Sequence, residues 1–432
     1  MQREPAPGQP GSTPAVVTRR AILRASLAGA VALILAACGA DNPTPAPSRA
    51  AGSTLPPGPT PSPSTGASTA PSTSPSPTTT PTATPTAPPV VSLHQMIAGL
   101  MVVGFRGSKL ADAPWVHDAL ATGGLGGVIL FDRDQLTGAP RNVRSPAQVE
   151  RLTRQLRAAA GHAIVIGVDQ EGGVVTRLGP AHGFPPVASQ ASIGTGSKAE
   201  ARTWARGLAA TLATAGFSLN FAPVVDLDVN PTSPAIGALD RSFSADPDVV
   251  VEMASIEIRA HHQSGVRTTL KHFPGIGSST TNTDFGVADV TKTWKPIELE
   301  PVRQLIAAGL ADVVMAGHVV NKHLDPDHPA SLSKAVVTDM LRGDLGWDGI
   351  VVTDDMQAAA IVDAFGADEA VLLALEAGND LLLFANQQVY EAGVIKRVVG
   401  VVADAVASGR LSRDQIEASW IRVQQMFGGT TA

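Results

Sequence analysis

The sequence predicts a (β/α)8 barrel, on three observations. Eight short apolar runs alternate with helix-forming stretches over about 340 residues. The runs are apolar throughout, as strands buried on both faces are. The ionisable residues near them gather at their C-terminal ends, where barrels of this class carry their chemistry. An open doubly wound sheet is the competing arrangement. It would usually place a glycine-rich phosphate loop at the first turn, and Gly104-Phe105-Arg106-Gly107 does not fit that pattern.

The runs are Leu100–Phe105, Gly127–Phe131, Ala163–Val168, Ser218–Phe221, Arg267–His272, Asp312–Ala316, Gly349–Thr353 and Asp380–Phe384. Helix start signals lie between them. Ser145-Pro146 with Gln148, and Ser197 with Glu200, have the spacing of capping boxes. Gly216 and Gly265 stand where helices stop before the next strand. The glycines at 123, 124, 126 and 127 precede a strand, which suits a tight backbone approach better than phosphate binding.

This barrel is expected over residues 90–428, and two different segments precede it. Residues 1–38 read as an export signal. Thr18-Arg19-Arg20 and Arg24 lie before or at the start of a short apolar run, and the twin arginine resembles a twin-arginine export signal. Leu35-Ala36-Ala37-Cys38 resembles a bacterial lipobox, so Cys38 is the expected lipidation site. An ordinary cleaved signal, with a Cys of no consequence, is the alternative. Residues 39–89 are Pro, Ser, Thr, Ala and Gly with hardly any large apolar side chain, too few to offset the entropy of ordering. They are expected to form a disordered tether that lets an anchored domain reach into the cell wall.

The 432-residue chain has a net charge of -6 and no basic groove, which argues against nucleic acid as its main partner. Its single cysteine excludes an internal disulfide. The usual metal-ligand spacings, a nucleophile elbow and a P-loop lysine do not occur, so no metal or cofactor is expected.

Six of the eight runs end in or near an ionisable side chain: Asp132, Asp169, the region of Asp226, Lys271-His272, His318 and Asp354-Asp355. They form an expected polar cup at one mouth of the barrel. Of the two adjacent acids, one is expected to cap and the other, Asp354, to face the cup. In "VDQEGGVVTRLG", Asp169 and Arg177 flank a Gly-Gly turn and could clamp vicinal hydroxyls, or could pair only with each other. Arg241 in "LDRSF" carries less weight, because a lone loop arginine is usually solvated. His272 could be a core histidine satisfied by a carbonyl, but its neighbour Lys271 and the following Phe-Pro-Gly favour a place in the cup.

Taken together, "VDQEGG…R", "NFAPVVDL", "RSF", "KHFPGxG", "MAGHV", "PASLS" and "GIVVTDDM" resemble the family-3 glycoside hydrolases over residues 93 to 425. Within that family they are most similar to the bacterial single-domain β-N-acetylglucosaminidases. The resemblance implies a retaining mechanism with Asp354 as nucleophile. It also implies that Asp169, Arg177, Arg241, Lys271 and His272 grip the hydroxyls of a terminal N-acetylglucosamine. One feature departs from the family. Where its members usually carry an Asp-x-His dyad, this chain has Asn282-Thr283-Asp284, which leaves Asp284 as the expected acid/base. The expected substrate is a β-N-acetylglucosaminide such as a peptidoglycan fragment, handled by a lipid-anchored enzyme on the outer face of the cytoplasmic membrane. The alternatives are a phosphorylase of the same fold and a degenerate, sugar-binding lipoprotein.

Overall fold

A computed structural model describes residues 91–282 and 286–428. Cys38, the tether and Asp284 lie outside them. Each of the eight apolar runs forms a strand: β1 (Met101–Gly104), β2 (Gly127–Ile129), β3 (Val165–Val168), β4 (Leu219–Asn220), β5 (Arg267–Phe273), β6 (Val313–Ala316), β7 (Ile350–Asp355) and β8 (Leu381–Phe384). They close into one barrel in the ring order β1-β8-β7-β6-β5-β4-β3-β2, with every pairing parallel. Every residue of β1, β2, β3 and β8 is buried, because one face of each strand fills the barrel and the other lies under helices.

Helical segments follow the strands in turn: Pro114–Ala121, Pro146–Ala160, Lys198–Ala215, Pro247–Gln263, Glu300–Ala307, a π-helical Ala335–Asp344, Ala367–Ala377 and Val394–Ala407. Arg413–Gly428 closes the described chain. The Ser197–Glu200 capping box forms as the spacing predicts. At Ser145 only half of it does. The Ser145 hydroxyl accepts the Gln148 N–H, but the Gln148 side chain reaches one residue further back, to the Arg144 N–H at 2.9 Å. The tight approach expected of the early glycines is real. A Cβ on Gly126 would lie 2.1 Å from the Gly99 carbonyl oxygen, and one on Gly127 2.5 Å from Val165.

The two ends of the barrel use charge differently. At the N-terminal end, Asp380 accepts from Arg342 (2.6 Å), Arg422 (2.7 Å) and Ser419 (2.7 Å), while Asp312 accepts from His262 (2.7 Å) and Arg267 (3.1 Å). These buried carboxylates tie helices to strand starts and leave little for a ligand. The charges with spare capacity are at the opposite end.

Candidate active site

Two strands bring most of the site together, and both break register where they do so. The pairing of β5 with β6 shifts between Leu270 and Phe273, and that of β7 with β8 between Val352 and Asp355. Such irregularities re-aim side chains at a strand end. The peptide bond between Lys271 and His272 is cis.

The floor of the cup is an ion network. Lys271 is buried, with Nζ 2.9 Å from Asp169 Oδ1 and 2.7 Å from Glu171 Oε1. Glu171 also accepts a two-pronged contact from Arg241, Nε and Nη2 each donating at 2.8 Å. Burial pushes the Glu171 carboxyl up, but Arg241 and Lys271 outweigh it and hold it far below the ordinary carboxylate range. Burial likewise opposes the charge on Lys271, yet Asp169 and Glu171 raise its amine above the ordinary value. Arg241 is therefore not the solvated loop arginine its isolation suggests. Its Nη1 donates to the Ala235 carbonyl at 2.7 Å, and the side chain is largely enclosed.

The "VDQEGGVVTR" segment folds as a small hairpin, Gln170–Gly172 against Val175–Thr176. Gly172 and Gly173 turn it at φ of 98° and 59°, a region that disfavours side chains. The buried Gln170 side chain accepts the N–H groups of Arg177 and Leu178, each at 2.9 Å, and so fixes where Arg177 emerges. The Arg177 guanidinium then hangs between two carboxylates, with Nη2 3.8 Å from Asp169 and Nη1 3.9 Å from Asp132. Both contacts are too long for hydrogen bonds, so the pair remains open to an inserted hydroxyl.

His272 is held by a carboxylate rather than by a carbonyl. Asp226 Oδ2 accepts from its Nδ1 at 2.7 Å and from its backbone N–H at 3.1 Å, while Oδ1 takes the Ile276 N–H at 2.8 Å. Nδ1 therefore donates to Asp226, and Nε2 has no hydrogen-bond partner among the described residues.

Asp354, the last but one residue of β7, is half-buried, and its Oδ1 accepts the Asp355 N–H at 2.8 Å. Burial alone would raise its carboxyl. His318, His272, the Asp355 N–H and Lys271 together hold it below the ordinary value, which keeps it ionised. His318 is fully buried, and burial lowers it below the usual imidazole value against the pull of Asp354. Its Nε2 donates to the Asp355 carbonyl at 2.8 Å and its Nδ1 accepts from the Ser331 hydroxyl at 2.6 Å. It thus fixes the backbone beside Asp354.

The expected division of labour between the two acids fails at the capping half, since neither acid caps the following helix, whose N-cap is Ala358. Asp355 Oδ1 instead accepts the Gln357 and Ala385 N–H groups at 3.2 and 3.0 Å, which locks β7 to the end of β8.

In the ring order β7 lies directly across from β3, so Asp354 stands on the strand opposite the one that leads into Asp169. The structure thus brings Asp169, Arg177, Lys271, His272 and Asp354 to one end, with Arg241 behind them. Asp284 lies outside the described residues; Ser278 and Lys295, which precede and follow it, share one carboxylate. Buried Glu298 accepts the Ser278 and Lys295 N–H groups, each at 3.2 Å. Sequence reasoning passed over Glu171, Gln170 and the Asp226–His272 pairing. Gln170 and Glu171 stand inside a motif already singled out, and nothing in their spacing distinguishes a carboxylate that anchors cations from one that meets a ligand.

One carboxylate is held ionised by two histidines, a backbone N–H and Lys271, and the Asp169–Arg177 cradle has unspent hydrogen-bonding capacity. Such an arrangement suits covalent chemistry on a polyhydroxylated ring. Comparison with known proteins agrees. Residues 92–426 match the glycosyl hydrolase family 3 N-terminal domain. A β-hexosaminidase of Tolumonas auensis is 38% identical over 272 residues, covering 61% of this chain and 76% of that protein. Among solved structures, the family 3 β-N-acetylglucosaminidase of Paenibacillus sp. superposes with a TM-score of 0.71 at 33% identity, over 78% of this chain and 62% of that one. The β-N-acetylhexosaminidase of Beutenbergia cavernae gives 0.70 at 31%, over 78% of this chain and 99% of that one. By sequence and fold, the chain belongs to glycosyl hydrolase family 3.

Proposed function

We propose that this chain is a retaining exo-β-N-acetylglucosaminidase, and the observation that carries the reading is Asp354. It is an ionised, half-buried carboxylate at a strand end, on the strand opposite the one that leads into a cradle that can hold sugar hydroxyls. The names of its relatives, β-hexosaminidase and β-N-acetylglucosaminidase, support the substrate class.

In the first step an Asp354 oxygen bonds to the anomeric carbon as the glycosidic bond breaks, and the departing oxygen takes a proton from Asp284. In the second, Asp284 removes a proton from water, and the resulting hydroxide displaces Asp354 from the anomeric carbon. The ionised Asp354 also stabilises the positive charge that develops on the ring. Lys271, Asp169 and Arg177 bind the hydroxyls, and Arg241 acts through Glu171 to hold Lys271 in place.

The role of Asp284 rests on its position in the sequence, at the place of the Asp-x-His dyad of the family this chain resembles. Asp284→Ala tests it. With aryl glycosides whose leaving group is a strong acid, kcat/KM should change by less than about 3-fold. With alkyl or sugar leaving groups it should fall by about 10²–10⁴-fold, the usual contribution of a general acid. Equal losses on both kinds would refute the assignment.

The finer reading concerns place and substrate. Export by the twin-arginine route, lipidation at Cys38 and a tether over residues 39–89 would hold the barrel at the outer face of the cytoplasmic membrane, within reach of peptidoglycan fragments. The sequence of the first 89 residues supports this. Radiolabelled palmitate should enter the wild-type protein and not Cys38→Ala. Digests of peptidoglycan treated with the protein should release free N-acetylglucosamine.

A further inference from the structure

Asp132 is an acid for which the mechanism above has no use. Its backbone is pinned, since its carbonyl accepts the Arg141 N–H at 2.8 Å. Its side chain accepts no hydrogen bond among the described residues. The contrast is Asp134, two residues on. That carboxylate takes Arg106 at 2.7 and 3.1 Å and the Thr137 N–H and hydroxyl at 2.9 Å each, and these partners outweigh burial and bring it down to about 2. Asp132 turns one oxygen to each of two neighbours instead, Oδ1 to Arg177 Nη1 and Oδ2 to His182 Nε2, both at 3.9 Å. Phe131 backs the group, its ring centroid 5.3 Å from the Arg177 guanidinium carbon. All three polar side chains are about a quarter exposed, at 27%, 28% and 22%.

A cation and a carboxylate held at that separation have a specific use. A hydroxyl oxygen about 2.8 Å from each accepts from the one and donates to the other, which neither water-filled solvent contacts nor a closed ion pair would select for. The position of the gap also matters. Asp354 on β7 marks the anomeric carbon, and β3 lies opposite with β2 beside it. A pyranose extending from Asp354 across the mouth presents its remote end, the 4-hydroxyl and the 6-hydroxymethyl, to Asp169 and then to Asp132. We propose that Asp132, with Arg177 and His182, forms a further hydroxyl seat that reads the remote end of the terminal sugar and adds to its specificity. The seat rests on the hydrolase reading only for the direction in which the sugar lies.

Binding and turnover separate the two ideas. Calorimetry with the full chain would compare N-acetylglucosamine with its 4-deoxy and 6-deoxy analogues, in wild type, Asp132→Ala and His182→Ala. Turnover of the aryl β-glycosides of the same three sugars would be measured in parallel. Loss of a charge-assisted hydrogen bond should weaken binding of the parent sugar to Asp132→Ala by about 10- to 100-fold. Against one of the two deoxy sugars, the one lacking the seated hydroxyl, the variant should match wild type within about 2-fold. The analogue so spared identifies the hydroxyl. His182→Ala should show the same pattern with a smaller loss. Equal weakening toward all three sugars, or none toward any, overturns the seat. Wild type that binds the sugars without cleaving their aryl glycosides overturns the hydrolase reading and leaves the binding comparison to judge the seat.

Discussion

Glu171→Gln removes one negative charge from the floor of the site while keeping the shape of the side chain. In the wild type that carboxylate, 1% exposed, is shared by Lys271 at 2.7 Å and Arg241 at 2.8 Å, with Asp169 completing a balance of two cations and two anions. The variant leaves two buried cations facing one anion and turns an amide NH2 toward one of them. Removing one partner of a buried pair costs about 3–5 kcal/mol, most of it from the charge left uncompensated. At roughly 2.1 cal/mol/K per residue over about 340 folded residues, this lowers the melting temperature by about 4–7 °C. The sign with pH follows from the depressed folded value. The stabilisation is complete above the unfolded carboxylate value near 4.5 and is lost as pH falls below it, so the comparison belongs at pH 7. Differential scanning calorimetry would measure it alongside hydrolysis of an aryl β-N-acetylglucosaminide. Adding Arg241→Met should recover about half the lost stability by restoring the balance, without recovering activity, because Lys271 would still lack its second anion. A loss below about 1 kcal/mol, or no recovery in the double variant, would refute the claim that these four charges act as one unit.

Two further predictions concern the scaffold. His261 is fully buried; its Nδ1 donates to the Glu257 carbonyl at 2.9 Å and Nε2 accepts from the Asn220 amide at 3.2 Å, and burial depresses it from 6.5 to about 4. The unfolded chain therefore takes up this proton first, so stability is full above about pH 6.5 and declines by about 3 kcal/mol as pH falls toward 4; His261→Gln should flatten that slope in urea titrations, and an unchanged slope would contradict the assignment. Arg141, 1% exposed, donates to the carbonyls of Phe105 (2.7 Å), Asn386 (3.1 Å) and Ala385 (2.9 Å) and so ties the ends of β1 and β8. Arg141→Ala should cost at least about 3 kcal/mol in chemical denaturation, through orphaned carbonyls and a cavity, and a cost under 1 kcal/mol would show that the junction does not depend on it.

The strands were legible because burial on both faces writes an unambiguous apolar run, and all eight runs became barrel strands. The end of the barrel that carries the chemistry was legible for a related reason. A buried parallel strand excludes ionisable groups until it emerges, so Asp169, Lys271-His272 and Asp354 announce the mouth. What could not be read was partnership. Glu171 and Asp169 are near neighbours of one type in one motif, yet one is locked under two cations and the other remains partly exposed. Arg241 read as a surface arginine because its partner lies 70 residues away. His272 read as a question because Asp226 reaches it from the preceding strand's loop, 46 residues earlier. Local spacing carries none of these pairings; they arise when the barrel closes. Residues 1–90 and the position of Asp284 lie outside the described structure, so the anchor, the tether and the acid/base rest on sequence.

The most direct measurement is covalent trapping. The full chain, incubated with a 5-fluoro-N-acetylglucosaminyl fluoride, should lose activity in step with the gain of one glycosyl mass. Peptide mass spectrometry should then place that mass on Asp354, with Asp354→Asn taking up none. A label on Asp355, Asp169 or another carboxylate, or stable inactivation without any covalent adduct, would contradict the account.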